Sequence, residues 1–157
     1  MRTLSKKTQY GLRALYALSR AHGGKPVLIA EMARREAIPK KFLEQILLKL
    51  NSDGLVVSKK GRGGGYSLAR SPETVTLGEA IRLMEGPLAP LPCASKTAYR
   101  KCDECADDRF CGTRMVMRDV RDEMARILDH TSLADVCRRE DQARSDANQS
   151  EEPMYFI

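Results

Sequence analysis

Four of the chain's five cysteines fall in one short stretch, "CASKTAYRKCDECADDRFCGTR", which starts at position 93. Their spacing is Cys93-x8-Cys102-x2-Cys105-x5-Cys111. Thiolates bind soft or borderline metals such as zinc and iron. A C-x-x-C pair lets one turn offer two of them to one ion. Structural zinc sites commonly combine two such pairs, and only one is present here. The longer gaps suit an iron–sulfur cluster held by a loop equally well, so spacing leaves the metal open between the two. A disulfide set is disfavoured by the odd cysteine count. A thioredoxin-like dithiol would need a neighbouring βαβ pattern, whereas the flanking patterns are helical. Nucleophilic catalysis would need a base, and His22 and His130, the sole histidines, lie outside the loop. No enzyme is expected. His130 reads as a helix-end or interface residue, and Cys137 as a small buried apolar side chain.

The segments on either side must position this loop. Residues 5–21 place Tyr10, Leu12, Ala14, Leu15, Tyr16 and Leu18 at helical spacing, and His22-Gly23-Gly24 ends the helix. "VLIAEMARREA" (27–37) predicts a short second helix, and Pro39 opens a third over about 39–52. The third helix carries Phe42, Ile46 and Leu50 on one stripe with Leu43 and Leu47 beside it, and Asp53-Gly54 closes it. "LVVSKKGRGGGYSLAR" then changes period and reads as a β-hairpin around a glycine-rich turn. The resulting fold class is mainly α with a small β-hairpin wing: a winged helix-turn-helix followed by a long C-terminal dimerisation helix. In such a module the third helix enters the major groove and the hairpin tip meets the backbone or minor groove. At the tip, Lys59, Lys60 and Arg62 supply charge, while Gly61, Gly63, Gly64 and Gly65 are expected to let the backbone approach phosphates. A phosphate-cradling nucleotide loop is excluded, because the GK[ST] ending and a helix directly after the glycines are both missing.

"TLGEAIRLMEG" (76–86) opens on a capping-box pattern, Thr76 and Glu79, and is expected to bury Leu77, Ile81 and Met84. "GPLAPLP" then reads as an extended linker. Beyond the cysteines, "RMVMRDVRDEMARILDH" is a charged helix with a narrow seam of Met117, Val120, Met124 and Ile127, which predicts pairing with a second copy. The organisation expected is therefore a DNA-binding domain over 1–85, a linker and cysteine loop over 86–111, a dimerisation helix and following segment over 112–137, and a disordered tail over 138–157 that ends in "MYFI".

Charge agrees with a nucleic-acid partner. Residues 1–70 hold 15 Lys+Arg against 4 Asp+Glu, or +11, and the remaining 12 against 17 give −5, within a total of +6. Neutralised phosphates release counterions, which favours such a basic half on double-stranded DNA. A membrane helix would place bulky apolar residues opposite its cations, but the chain has no Trp and three Phe, so no membrane partner is expected. The charged opening residues lack the apolar run of a signal peptide, and a cytoplasmic protein is expected.

With these parts in this order, the chain resembles the Rrf-two family of bacterial transcription regulators, with its IscR-, NsrR- and RirA-like branches. The carrying residues are "KKFLEQILLKLNSDGLVVSKKGRGGGYSLAR", "TLGEAIRLMEGPLAP", the cysteines and "LDHTSLADV". The resemblance spans about residues 1–137. It implies a homodimeric, sequence-specific DNA-binding regulator controlled by an iron–sulfur cluster that senses iron, redox state, nitric oxide or oxygen. It carries base-reading roles onto Lys41, Glu44 and Gln45 and a minor-groove role onto Lys60, with Arg62 standing where relatives often have proline. Those side-chain types suit guanine, cytosine and adenine edges respectively. For the cluster, Arg114 stands where one branch has a histidine ligand, and Gln9 where another has aspartate. Cys93, Cys105 and Cys111 match the third branch, and Cys102 is extra, either a fourth ligand or a free thiol. The reading adopted is an all-cysteine site of Cys93, Cys102, Cys105 and Cys111 holding a 2Fe–2S or 4Fe–4S cluster. The alternatives are a zinc-stabilised winged-helix nucleic-acid-binding protein and a small iron–sulfur redox protein.

Overall fold

The computed structural model describes residues 4–150. Ser5 caps α1 (Lys6–Arg20), its hydroxyl accepting from the Thr8 amide. Leu12, Ala14, Leu15 and Leu18 are buried, and three later helices and one strand pack against this helix.

α2 (Ile29–Arg35) and α3 (Lys40–Ser52) form the helix-turn-helix. α2 starts later than its periodicity suggests because Val27 is used elsewhere. Its N–H and C=O pair with those of Tyr66 at 2.8 and 2.9 Å, pinning the hairpin to the start of the motif. Pro39 sits at the N-cap of α3. The inward face of α3 is Leu43, Ile46, Leu47 and Leu50, whereas Phe42 is half-buried and meets Tyr10 edge-on at 5.7 Å. The stripe is thus centred one position further round than expected. Strands β1 (Val56–Lys59) and β2 (Gly65–Leu68) pair antiparallel, Val56 opposite Leu68 and Lys59 opposite Gly65.

α4 (Leu77–Glu85) begins with the Thr76 hydroxyl accepting from the Glu79 amide, while the Glu79 carboxylate pairs with Arg70 at 2.5 Å. Ala80 and Ile81 are buried with Gly78, and Leu77 and Met84 are only partly covered. Gly86 ends the helix at φ 89°, and a 3-10 turn at Pro92–Ala94 leads into the cysteine loop. α5 (Gly112–Asp129) packs on α4 and on that turn. Arg82 and Asp129 join α4 to α5 through two bonds of 2.6 and 2.8 Å. A side chain at Gly78 would collide with Asp129, so this contact requires glycine there.

The chain then returns to the first unit: Leu77 N donates to Thr131 O, and Leu133 N to Val75 O, both at 2.9 Å. α6 (Leu133–Ser150) follows, which corrects the expectation of disorder for residues 138–150. Polar composition concealed two fastenings. Ser132 and Asp135 cap the helix reciprocally, the Asp135 amide donating to the serine hydroxyl and the Ser132 amide to the carboxylate. Arg20 on α1 then grips Glu140 and Asp141 at 2.7 and 2.8 Å. Residues 151–157, with "MYFI", lie outside the described residues.

The cap has a pH signature. Hydrogen bonds from Ser132, and then Arg138, hold the Asp135 carboxyl down to about 2. A depressed carboxyl contributes stability above its unfolded value of about 3.9, and that stability is lost as pH falls through the folded value. Helicity by circular dichroism is expected to decline between about pH 4 and pH 2. Asp135→Asn should remove part of that acid dependence.

Candidate nucleic-acid interface and cysteine loop

Helical geometry turns the opposite face of α3 to solvent once Leu43, Ile46, Leu47 and Leu50 point inward. Lys41 and Gln45 are exposed there and Glu44 is half-exposed, so the three base-reading candidates share the free side of one helix. Lys59, Lys60 and Arg62 are exposed at the hairpin tip.

The wing glycines divide into two kinds. Gly61 and Gly63 adopt φ 87° and 74°, which favour glycine, and have open space around them. Gly64 and Gly65 face the chain itself: a Cβ on Gly64 would collide with the Lys59 carbonyl, and one on Gly65 would lie 2.5 Å from the Val27 carbonyl. The expectation that all four open the backbone to phosphate is corrected for these two, which allow the hairpin to close and to dock.

Two arginines of α5 staple the cysteine loop to that helix. Arg114 donates to the Cys93 carbonyl at 2.8 Å and the Asp108 carbonyl at 3.2 Å, and lies over the Tyr99 ring. At the position where the resemblance implies a ligand in one branch, this chain therefore has a brace. Gln9, at the other ligand position, donates to the Leu4 carbonyl at 2.8 Å. Arg121 is 6% exposed and donates to the Ala94 carbonyl. It also pairs with Asp122, which Lys96 meets at 2.7 Å from the loop side. Arg121, and secondarily Lys96, hold the Asp122 carboxyl well below the usual range. Sequence reasoning missed Arg121 and the bracing role of Arg114, since in a charged helix nothing distinguishes a buried arginine from a solvated one.

Arg121→Ala should cost about 2 kcal/mol, because the Ala94 carbonyl loses a charged donor in a site closed to water. Urea unfolding with an unchanged m-value would check it.

The Cys102 and Cys111 thiols both reach the Cys105 thiol, and Cys105 N lies 3.4 Å from Cys102 O. The Cys105 thiol is pushed up to about 11, chiefly through its hydrogen bond with Cys102. Cys93 is buried on the 3-10 turn. No set of three or more His, Cys, Asp or Glu among the described residues stands in geometry to hold a metal ion. Cys137 is half-buried, its Sγ 3.9 Å from the Tyr16 carbonyl, and His130 caps α5 with Nδ1 2.7 Å from the Arg126 carbonyl.

Three of the four expected seam residues of α5 are exposed, whereas Met117 is half-buried. Val120, Met124 and Ile127 are 38, 39 and 53% exposed, and Met115 and Val116 extend the strip towards the loop. Among the described residues, no helix is long and apolar enough to cross a membrane.

A family model described as an iron-dependent transcriptional regulator, Rrf2, matches residues 4–139. The chain belongs to the Rrf2 family of transcriptional regulators. An Rrf2-like regulator of the helix-turn-helix type from Rhodobacter capsulatus is 40% identical over 136 residues, 85% of this chain and 91% of the relative. The structure of CymR, the global cysteine regulator of B. subtilis, is similar with a TM-score of 0.74 at 30% identity, covering 88% of this chain and 98% of that one. IscR of T. potens is similar with a TM-score of 0.68 at 30% identity, covering 99 and 97%. The family bears out the resemblance and the winged-helix fold class. It makes this Rrf2 chain a DNA-binding transcription regulator.

Proposed function

We propose that the chain is a homodimeric, sequence-specific regulator whose DNA affinity depends on an iron–sulfur cluster held by Cys93, Cys102, Cys105 and Cys111. The observation that carries this reading is the convergence of three thiols on a loop stapled to the helix that bears the exposed seam residues. The donor set fits a soft metal. The Cys102 and Cys111 sulfurs disfavour a thiolate at Cys105, and a thiol-bound metal ion would reverse that preference. Cys93, buried on the 3-10 turn, would be the fourth donor. When bound, the cluster supplies thiolate-ligated iron whose integrity responds to iron supply, oxidants or nitric oxide.

The chain's own residues supply the coupling. Arg114 and Arg121 transmit the position of Cys93 and Ala94 to α5, and Arg82–Asp129 carries α5 to α4, which packs on α1 beside the reading helix. A change in the loop therefore alters how two copies present their α3 helices to a two-fold operator. Lys41, Glu44 and Gln45 read bases, while Lys59, Lys60 and Arg62 hold the backbone and minor groove.

Anaerobic isolation with metal analysis, absorption spectra and operator titration tests the reading. Iron and sulfide with cluster-dependent affinity are expected. Colourless protein with stoichiometric zinc and no iron would overturn it. In the same titrations Gln45→Ala should lose roughly 1–3 kcal/mol of discrimination at one base pair. Lys60→Ala should weaken all sequences alike and lower the salt slope by about 1. Equal losses on cognate and random DNA for Gln45→Ala would remove it from the reading set.

A further inference from the structure

A cavity of about 300 Å³ opens between α1, the end of α2 and α6, and none of its lining residues comes from the cysteine loop. Arg13, Arg20, Arg35 and Arg144 line it against Glu36 and Glu140, with Tyr16 between them. The charged lining therefore carries +2. Two arginines are already matched inside it: Arg20 meets Glu140 at 2.7 Å, and Arg13 lies 3.8 Å from Glu36. The other two are available. Arg35 has only an exposed neighbour on its own helix, Glu31 at 3.5 Å, and Arg144 has no ion-pair partner among the described residues. Tyr16 keeps its proton, since burial and then Glu140 push it up to about 12, so its hydroxyl is a hydrogen-bond donor.

We infer that this cavity binds a small organic dianion, a dicarboxylate or a phosphate ester, clamped by Arg35 and Arg144 with Tyr16 as a neutral donor. Guanidinium forks match both headgroups, and Arg144, with no ion-pair partner among the described residues, is the cation left to meet one. The volume suits a compact metabolite, at the lower end of small-molecule sites.

The position of the cavity links it to DNA. Glu36 is the C-cap of α2, its carbonyl accepts from Arg13, and the turn that follows aims α3. The opposite wall is α6, which continues from α5. A bound dianion therefore ties the base of the reading helix to the C-terminal half, and its binding and that of DNA become linked. This coupling rests on the DNA-reading role proposed above for α3.

Calorimetry on the full chain at constant ionic strength, with inorganic phosphate and succinate as probes and acetate as the monoanion control, tests the site. Saturable binding of one dianion or both is expected, with none for acetate, and the probe that binds identifies the headgroup. Arg35→Gln and Arg144→Gln should each weaken binding about tenfold. Arg138→Gln, whose parent side chain pairs with Asp135 along α6, should leave it unchanged. Operator affinity should change threefold or more with the bound probe, and Arg144→Gln should abolish that change. Absence of saturable dianion binding, or binding indifferent to both arginine variants, overturns the site. If the two variants lose operator affinity and no dianion binds, the arginines are DNA-phosphate contacts and the inference falls. Unchanged operator affinity on dianion binding overturns the regulatory link. Gln45→Ala, which does not touch the cavity, tests the reading role of α3 separately.

Discussion

Cys105→Ser is expected to reduce bound iron to near zero and to abolish any difference in operator affinity between cluster-loaded and cluster-free protein. Cys105 is where the Cys102 and Cys111 thiols converge, so its loss removes the centre of the donor set rather than one edge of it. Serine fills nearly the same space, and Cys105 is half-buried on a loop, so the winged-helix core should be untouched. The checks are iron and sulfide content after anaerobic isolation, the visible spectrum, and operator titration before and after iron chelation. Cys102→Ser belongs in the same series: loss of iron makes it a ligand, and retention makes it a free thiol. Cys137→Ser is the control, because that side chain lies against α1 near Tyr16 and away from the loop. Cys105→Ser protein that kept its iron would show that the ligands are elsewhere.

Val120→Glu combined with Met124→Glu should convert a dimer into a monomer and lower operator affinity by on the order of 100-fold or more, since the second half-site is then no longer bound intramolecularly. Both side chains are more than a third exposed, so two carboxylates there cost the folded monomer little. In an apolar two-helix interface the same carboxylates would lie unpaired against each other, which is strongly unfavourable. Sedimentation would report the oligomeric state, and circular dichroism would show that helix content is kept. A double variant that sedimented like the parent and still bound a two-fold operator would place the dimer interface on another surface.

Much of the fold was legible because it rests on local chemistry. The Thr76 cap, the positive-φ glycines at 23, 54 and 86, and the apolar spacing of α1 and α3 each write an element boundary or a buried face directly into the sequence. The tail was misread for the opposite reason. Over 138–150 the composition is polar, and what keeps α6 helical and docked is the Ser132–Asp135 cap together with Arg20, more than a hundred residues away in the chain. The capping box could have been found from "SLAD"; the grip of Arg20 could not.

The candidate site divides along the same line. Cysteine identity and spacing, the basic tip and the residue types of the third helix belong to the sequence alone, because ligand softness, charge and hydrogen-bonding capacity are properties of single side chains. Tertiary structure decided which thiols converge, that Arg114 braces the loop through the Cys93 carbonyl, and that Arg121 is buried against the Ala94 carbonyl. It also decided that Gly64 and Gly65 serve the docking of the hairpin. These are facts of distance and exclusion between segments far apart in the chain, and periodicity along one segment does not encode them.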